Sequence, residues 1–345
     1  MIDKGADSHI LITGGAGYIG SSLTAALLDA GCYVTVVDKL LFGGEPLLSY
    51  FPNPNFHFLQ GDVGDSGCVR QAVQSASQRG APPLDAVVHL AAIVGFPACK
   101  ALGREASWNE NVEVVKVMFE EADQLGASRF LFSSTYSNYG LSDRGEPVTE
   151  ESPLYPQSLY AETKIAAEQY LQDSTNGASC APLVFRLATL FGASARMRFD
   201  LIVNQFVLDA YFRKELVIYQ RNYSRSFVHV QDVVRGFLLG LQASIEEVRG
   251  QIFNLGTEQG NFTKDEVVSM ICDSLPETRV RYEDLDFSDD MRDLRVSFAK
   301  IRDQLGYRAE RAVDEGIDEV LSLLSSGLIS DPFSDRYRNA DFAVQ

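Results

Sequence analysis

Two side chains separated by three residues could carry out proton chemistry together. Tyr160 and Lys164 fall within a predicted helix at residues 160–173, one turn apart and on the same face. Free tyrosine has a pKa near ~10, and a nearby ammonium group favours the phenolate. Tyr160 could then take a proton from a substrate hydroxyl. Such pairs are also common on ordinary helix surfaces, so the interpretation depends on what precedes this pair in the chain.

A glycine-rich turn near the start of the chain supplies the second chemical feature. The strand predicted at residues 10–15 begins as an apolar run and ends in the first of three evenly spaced glycines, Gly14, Gly17 and Gly20. Residues 21–30 are predicted to be helical. Gly14 permits a sharp turn, Gly17 leaves room for a pyrophosphate against the backbone, and Gly20 allows close helix packing. The phosphates would bind backbone N–H groups at the positive end of the helix. A glycine turn without a ligand is the alternative, but the strand–turn–helix context favours a dinucleotide.

Acidic residues after the second and third predicted strands indicate how the dinucleotide binds. Asp38 lies at the end of the strand predicted at 33–38, where a carboxylate can accept hydrogen bonds from both ribose hydroxyls of adenosine. It would repel a 2′-phosphate, so the sequence favours NAD over NADP, although Lys39 beside it weakens that preference. Asp62 is placed either to meet the adenine amino group or to cap the next helix.

The elements that position these residues are strands and helices in alternation. This alternation predicts a doubly wound parallel α/β sheet (Rossmann fold), and the less regular pattern after Phe191 predicts a smaller C-terminal α/β substrate domain. The strands are expected at residues 10–15, 33–38, 56–59, 85–90, 129–134, 183–187 and 251–255. We predict an NAD-binding domain at 1–190 with return segments near 228–258, a substrate domain at 191–227 and 259–330, and a surface tail at 331–345.

Small and hydroxylated residues occupy the ends of two central strands. Ala91 and Ala92 follow the fourth strand and are small enough for a cofactor to lie across it. Thr135 follows the fifth strand, where its hydroxyl could bridge to a substrate oxygen. His89, inside the fourth strand, is interpreted as a core histidine. Asn111, in a helix predicted over 105–125, could hydrogen-bond a backbone carbonyl and help to shape the site.

Composition excludes several classes of protein. The length of 345 residues suits one large α/β domain with a second, smaller domain. The net charge of −17 argues against nucleic acid or anionic membrane as the main binding partner. The five cysteines are scattered without metal-ligand spacing, so we expect free thiols and no metal site. No signal sequence and no apolar run of about eighteen residues is present, which predicts a cytoplasmic protein.

The motifs in combination resemble one known family. Along the chain they are Gly14-Gly15-Ala16-Gly17-Tyr18-Ile19-Gly20, Asp38, Asp62-Val63, His89-Leu90-Ala91-Ala92, Phe132-Ser133-Ser134-Thr135, Tyr139-Gly140, Tyr160-Ala161-Glu162-Thr163-Lys164, Arg186, Phe191-Gly192 and the run 225–232. With these, residues 9–310 resemble the extended short-chain dehydrogenase/reductase family, and within it the nucleotide-sugar epimerases and dehydratases.

The resemblance implies a Ser/Thr–Tyr–Lys catalytic set at Thr135, Tyr160 and Lys164. It also implies that a nucleotide-diphosphate sugar is the substrate and that the chain forms a homodimer. The implied NAD contacts are Gly14, Gly17, Tyr18, Ile19, Gly20, Asp38, Asp62, Val63, Leu90, Ala91, Ala92, Ser133, Tyr160 and Lys164. The implied substrate contacts are Thr135, together with Asn204, Arg225 and Arg292 at the diphosphate; surface ion pairs are the alternative for the arginines.

Two departures from the family pattern narrow the function. The 4,6-dehydratases carry Asp-Glu directly after the catalytic Thr, whereas Tyr136 and Ser137 stand here and supply no carboxyl acid or base. Thr189 replaces the usual Asn, which changes the sugar pocket. The loop at 93–100 is expected to lie against the sugar and to bear on specificity.

The sequence therefore predicts an NAD-dependent nucleotide-sugar 4-epimerase, with Tyr160 as acid and base at the 4-hydroxyl. The alternatives within the family are a nucleotide-sugar reductase, dehydrogenase or decarboxylase. An NAD(P)-dependent dehydrogenase of a non-sugar alcohol is a further alternative. A non-catalytic dinucleotide sensor would commonly lack the Tyr160–Lys164 pair.

Overall fold

A seven-stranded parallel sheet forms the centre of the protein. Its computed structural model describes residues 8–140, 146–283 and 294–339. The strands that it describes are β1 (His9–Thr13), β2 (Tyr33–Asp38), β3 (Phe56–Gln60), β4 (Leu84–His89), β5 (Arg129–Thr135), β6 (Ala181–Leu187), β7 (Thr189–Phe191), β8 (Glu215–Tyr219), β9 (Ser224–His229), β10 (Gln251–Leu255), β11 (Asn261–Thr263) and β12 (Arg279–Glu283).

The strand order identifies the edge at which a ligand binds. The order is β10-β6-β5-β4-β1-β2-β3, and every neighbouring pair is parallel. The direction of winding reverses between β1 and β4, where Ile12 pairs with Val36 on one side and Val88 on the other. Ligands of such sheets bind beyond the carboxyl ends of the strands at this reversal. The predicted doubly wound fold is confirmed, and each predicted strand lies within two residues of an observed one.

The helices cover both faces of the sheet. They are α1 (Tyr18–Asp29), α2 (Ser66–Gln78), α3 (Phe96–Leu102), α4 (Arg104–Trp108), α5 (Val114–Gln124), α6 (Leu159–Ser174), α7 (Ile202–Arg213), α8 (Val230–Gln242), α9 (Ile245–Val248), α10 (Lys264–Ser274), α11 (Ala299–Leu305) and α12 (Val313–Ser325). None of these described helices is long and apolar enough to cross a lipid bilayer.

Alternating side chains of each central strand enter two separate cores. Ile10 and Ile12 of β1 pack with α1 and α8, whereas Leu11 between them packs with α2 and α5 on the opposite face. Both faces of the sheet are therefore buried from solvent. This burial explains why the strands are continuous apolar runs in the sequence.

A third core lies outside the main sheet. It joins α7, α10 and α12 to a small sheet of β11, β9 and β7 and to the pair β12 and β8. Its buried members fall between Phe191 and Leu324, so we retain the predicted substrate domain as a proposal. Val296, Phe298 and Ile301 lie within that sequence range but pack in a core of the main sheet instead.

The helix predicted over 105–125 is interrupted. The chain forms α4, then one π-helical turn at Asn109–Glu113, then α5. Asn111 in this turn is buried; it accepts a hydrogen bond from the Ile93 N–H at 2.8 Å and donates to the Ile93 carbonyl at 3.0 Å. The predicted hydrogen bond from Asn111 to a backbone carbonyl is confirmed. The wide turn places this amide against Ile93, just before α3, and π-helical turns often occur at functional sites. The loop predicted at 93–100 is therefore a loop only as far as Gly95, because residues from Phe96 onwards form α3.

Candidate active site

A cavity of about 550 Å³ opens beyond the carboxyl ends of the central strands. The glycine turn forms one wall and α6 another, so the two features found in the sequence face the same space. The predicted cofactor and catalytic residues that line it are Gly14, Gly17, Tyr18, Ile19, Gly20, Asp38, Val63, Leu90, Ala91, Ala92, Ser133, Thr135, Tyr160 and Lys164.

The glycine turn has the shape that a pyrophosphate requires. Gly14 has a φ of +73°, and a Cβ there would lie 2.7 Å from the Ala91 nitrogen. A Cβ on Gly20 would lie 2.2 Å from the Gly14 carbonyl oxygen, so only glycine lets α1 start this close to the strand. A Cβ on Gly17 would meet only that same oxygen, at 3.1 Å, and the remaining space belongs to the cavity. The turn therefore fits the phosphates of NAD at the start of α1.

Asp38 and Lys39 occupy the end of the cavity next to β2. The Asp38 carboxylate accepts hydrogen bonds from the N–H groups of Ala16 at 2.9 Å and Leu40 at 2.8 Å, and burial raises its pKa. The Lys39 ammonium is held by Asp62 at 3.0 Å and Glu110 at 2.9 Å. Asp62 itself is absent from the described cavity lining and caps no helix, because Asp65 is the N-cap of α2.

Tyr160 and Lys164 face the cavity from the first turns of α6. The Lys164 ammonium donates a hydrogen bond of 2.9 Å to the Ser133 carbonyl at the end of β5 and lies over the Phe132 ring. Burial lowers the pKa of Lys164 to about 8. Its charge lies 5.9 Å from the centre of the Tyr160 ring. This arrangement places a cation where it can stabilise a tyrosine phenolate.

Four side-chain hydroxyl groups lie on the wall next to Tyr160. The Thr135 hydroxyl donates to the Ser137 hydroxyl at 3.0 Å and accepts from the Ser137 N–H at 3.1 Å. The Tyr136 and Thr189 hydroxyls are hydrogen-bonded at 2.8 Å. All four residues line the cavity. The position next to Thr135 therefore holds hydroxyl groups and no carboxylate.

A buried ion pair supports this wall from behind. Arg186 of β6 donates to Glu168 of α6 through Nη2 at 2.7 Å and Nε at 3.1 Å, and each side chain is 4% exposed. Glu168 also accepts from Asn138 at 2.7 Å and from the Ser134 hydroxyl. The network connects α6, which carries Tyr160 and Lys164, to the end of β5, which carries Thr135.

His89 is part of the core under the site. Its Nδ1 is hydrogen-bonded to the Thr13 hydroxyl at 2.9 Å, and the ring stacks against Phe130 and Phe132. Burial lowers its pKa to about 3, so the ring is neutral at physiological pH. This arrangement agrees with the predicted core histidine. The described residues include no cluster of His, Cys, Asp or Glu that could hold a metal ion, and all five cysteines are free thiols.

Two of the three predicted diphosphate contacts do not line the described cavity, and the third is not described. Asn204 is fully buried; its oxygen accepts from the Gly192 N–H at 3.0 Å and its nitrogen donates to the Arg198 carbonyl at 2.9 Å. Arg225 is 2% exposed in β9 and is absent from the lining. Arg292 lies outside the described residues. The diphosphate roles of all three remain predictions.

The structure adds a charged group that the sequence did not indicate. Arg198 forms a two-point ion pair with Asp200, at 3.0 and 2.8 Å, and its pKa is raised by that carboxylate against the effect of burial. Arg196 lies nearby and is 4% exposed. The described tail also reaches the cavity, because the Asn339 N–H donates to Asp200 at 2.9 Å. The only signal in the sequence was the cluster of charges directly after Phe191-Gly192.

The sheet and the glycine turn define a Rossmann-type dinucleotide-binding protein. The family model described as "NAD dependent epimerase/dehydratase family" matches residues 10–256. The chain belongs to this family, and it is therefore an enzyme of the NAD-dependent type.

Individual relatives differ in the reaction that they catalyse. The chain is 26% identical over 331 residues to a UDP-glucose 4-epimerase of Bacillus subtilis, covering 89% of this chain and 94% of the relative. It is 27% identical to a UDP-glucuronic acid decarboxylase 4 of Arabidopsis thaliana, covering 90% of this chain and 67% of the relative. The crystal structure of DesIV, a dTDP-glucose 4,6-dehydratase of Streptomyces venezuelae with NAD bound, superimposes with a TM-score of 0.79 at 26% identity, covering 92% and 97%.

Proposed function

We propose that this enzyme is an NAD-dependent nucleotide-sugar 4-epimerase. The observation that supports the proposal most strongly is the position of Tyr160 and Lys164. Both line the cavity that holds the glycine turn, with the Lys164 ammonium fixed on the Ser133 carbonyl. Thr135 presents its hydroxyl to the same space. An acid–base tyrosine beside a dinucleotide site is what reversible oxidation of a sugar hydroxyl requires.

Each member of this set has a distinct role in the proposed reaction. Tyr160 takes the proton from the sugar 4-hydroxyl and later returns it to the 4-keto oxygen. Lys164 stabilises the phenolate of Tyr160 by its charge. The Thr135 hydroxyl, which donates to Ser137 in the structure, would turn to donate a hydrogen bond to the same sugar oxygen. The glycine turn and Asp38 would hold NAD⁺, which would supply the hydride acceptor and donor for C4 while the sugar turns between the two transfers.

The wall next to Thr135 favours epimerisation over 4,6-dehydration. Elimination of water needs an acid and a base next to the oxidised carbon. Tyr136 and Ser137 occupy that wall, and Tyr136 is hydrogen-bonded to Thr189. Neither residue carries a carboxyl group. The 4-keto sugar formed here would therefore lack the groups that remove water from it.

The cofactor preference follows from Asp38 and Lys39. The Asp38 carboxylate lines the cavity and would repel a 2′-phosphate. Lys39 could offset that repulsion, but its ammonium is engaged with Asp62 and Glu110. We therefore propose NAD over NADP.

We propose that the chain forms a homodimer whose interface is the outer faces of α5 and α6. The two helices pack side by side, and the Tyr170 hydroxyl donates to Glu120 at 3.0 Å. Val117, Ile165 and Ala166 remain half-exposed on them. A monomer by light scattering at micromolar concentration would contradict this assignment.

The function is tested on the protein as purified. The bound nucleotide is released by denaturation and identified, and UDP-, dTDP-, CDP- and GDP-sugars are followed by NMR. Interconversion of one C4-epimeric pair at constant NADH supports the proposal and identifies the substrate. Net NADH turnover would instead indicate a reductase or dehydrogenase, and CO₂ release a decarboxylase, a reaction that the relatives also include. Turnover of a non-sugar alcohol alone would place the substrate outside the nucleotide sugars.

A further inference from the structure

One cation that lines the cavity, Arg196, has side-chain N–H donors without a hydrogen-bond partner among the described residues. Four cationic side chains are found among the described lining residues: Lys39, Lys164, Arg196 and Arg198. Lys39 and Arg198 are paired with carboxylates, and Lys164 is held by the Ser133 carbonyl. Arg196 is 4% exposed, and neither its Nε nor its Nη2 has a hydrogen-bond partner among the described residues. Burying a guanidinium with unpartnered N–H donors costs free energy unless a ligand accepts their hydrogen bonds.

The chain holds Arg196 beside the glycine turn. The segment at 192–198 crosses the start of α1, where the Ser194 hydroxyl donates to the Tyr18 carbonyl at 2.7 Å. The Tyr18 hydroxyl in turn donates to the Gly192 carbonyl at 2.7 Å. The Asn204 side chain hydrogen-bonds both ends of the same segment, accepting from the Gly192 N–H and donating to the Arg198 carbonyl. Arg196 therefore lies on a segment that is fixed next to the anion-binding end of α1.

The surroundings of Arg196 also fix the orientation of its guanidinium. The guanidinium carbon lies 4.1 Å from the centre of the Phe42 ring, in a cation–π contact with the loop after β2. Arg198 is next to it, and its charge is neutralised by Asp200. Asp38 is close enough to attract Arg196 but forms no hydrogen bond with it. Arg196 thus carries unpartnered donors and lines a cavity that already offers backbone N–H groups for phosphate.

We infer that Arg196 binds a diphosphate group in this cavity, together with the glycine turn. The inference rests on the proposed function only for the class of ligand. Both the pyrophosphate of NAD and the diphosphate of a sugar nucleotide have this chemistry. The proximity of Arg196 to Asp38, Phe42 and α1 favours the dinucleotide. A planar fork of N–H donors matches two phosphate oxygens, and that match is lost with lysine or glutamine.

The test uses the full-length protein with its retained NAD. The rate of NAD release is measured by exchange against excess labelled NAD in wild type, Arg196→Gln and Arg196→Lys. Arg302→Gln is the control, because Arg302 is half-exposed and paired with Asp303 away from the cavity. In parallel, calorimetry measures how tightly the NAD-loaded proteins bind UDP, dTDP, CDP and GDP.

Release that is about tenfold faster or more in Arg196→Gln, with an unchanged control, supports binding of the dinucleotide. We expect Arg196→Lys to lie between wild type and Arg196→Gln. Unchanged release with about tenfold weaker binding of the preferred nucleoside diphosphate supports the diphosphate site but assigns it to the sugar nucleotide. Unchanged release and unchanged binding in variants with wild-type melting temperatures would overturn the inference. None of these readouts depends on turnover, so a failure of the epimerase proposal would be seen separately.

Discussion

The Lys164 ammonium lies 2.9 Å from the Ser133 carbonyl oxygen, and this hydrogen bond joins α6 to the end of β5. It orients the lysine side chain along the cavity wall, with its charge near the ring of Tyr160. The proton chemistry proposed for Tyr160 depends on this connection. The first two predictions test the tyrosine and the lysine separately.

Replacement of Tyr160 by Phe removes the proposed acid and base but keeps the ring. We expect kcat to fall by a factor of about 100 or more, because positioned proton transfer contributes at least that much. The amount of NAD retained after purification should not change. Tyr155→Phe is the matched control, since Tyr155 is 58% exposed. A Tyr160→Phe enzyme with wild-type kcat would exclude the assigned role.

The pH dependence of kcat tests the charge of Lys164. Burial lowers the pKa of this ammonium to about 8, so the charge is present below that pH and lost above it. We expect kcat to decline above about pH 8 in wild type. Lys164→Arg keeps its charge at high pH, so its profile should stay flat there even if its maximal rate is lower. The same decline in both enzymes would show that another group titrates.

Asp38 should control the choice between NAD and NADP. In Asp38→Asn the shape is kept and the charge is lost, so repulsion of a 2′-phosphate disappears. We expect the ratio of the NADP to the NAD dissociation constant to fall by a factor of about ten. Asp65→Asn, which changes the exposed N-cap of α2, serves as the control. An unchanged ratio in Asp38→Asn would place cofactor selection elsewhere.

The buried pair of Glu168 and Arg186 should be important for stability. Glu168→Gln leaves the guanidinium buried without its counter-charge, which typically costs about 3–5 kcal/mol. Glu310→Gln removes a carboxylate that pairs with Arg235 but is 67% exposed, so its cost should be below about 1 kcal/mol. Urea denaturation at neutral pH measures both free energies of unfolding. Equal values for the two variants would contradict the proposed importance of the buried network.

Acid should destabilise the protein through His89. The pKa of His89 is about 3 in the folded protein because the ring is buried, and near 6.5 when unfolded. Between these values the unfolded chain binds the extra proton, so stability falls as the pH falls, by up to about 1.4 kcal/mol per pH unit. His89→Asn should show a smaller fall between about pH 6 and 4. Urea denaturation at several pH values gives the two slopes, and identical slopes would contradict the prediction.

The strands and the catalytic helix could be predicted because their signals are local. An apolar run and a following glycine or hydroxyl residue, as at Gly14 and Thr135, define both an element and its end. The position of Arg196 could not be predicted in this way. It depends on contacts such as Ser194 with Tyr18, which are 176 residues apart in the chain.

Two further differences between the sequence prediction and the structure also come from contacts between residues that are not neighbours in the chain. Asn204 stands where the family pattern predicts a ligand contact, but its amide is turned towards Gly192, and no local pattern specifies that direction. The tail was expected to pack loosely on the surface or against a neighbour. It contacts the cavity through Asn339, and Arg336 pairs with Glu45 at 2.7 Å. These contacts could not be predicted because the partners come from distant parts of the sequence.

The most direct test of the proposed 4-epimerisation is an isotope experiment on the substrate found by NMR. The sugar nucleotide is labelled with deuterium at C4 and incubated with the protein in ordinary water, and both epimers are examined by NMR and mass spectrometry. We predict inversion at C4, an unchanged mass and full retention of the label at C4, because hydride leaves and returns without contact with water. Loss of the label to solvent, or a product that has lost water or CO₂, would contradict the proposal.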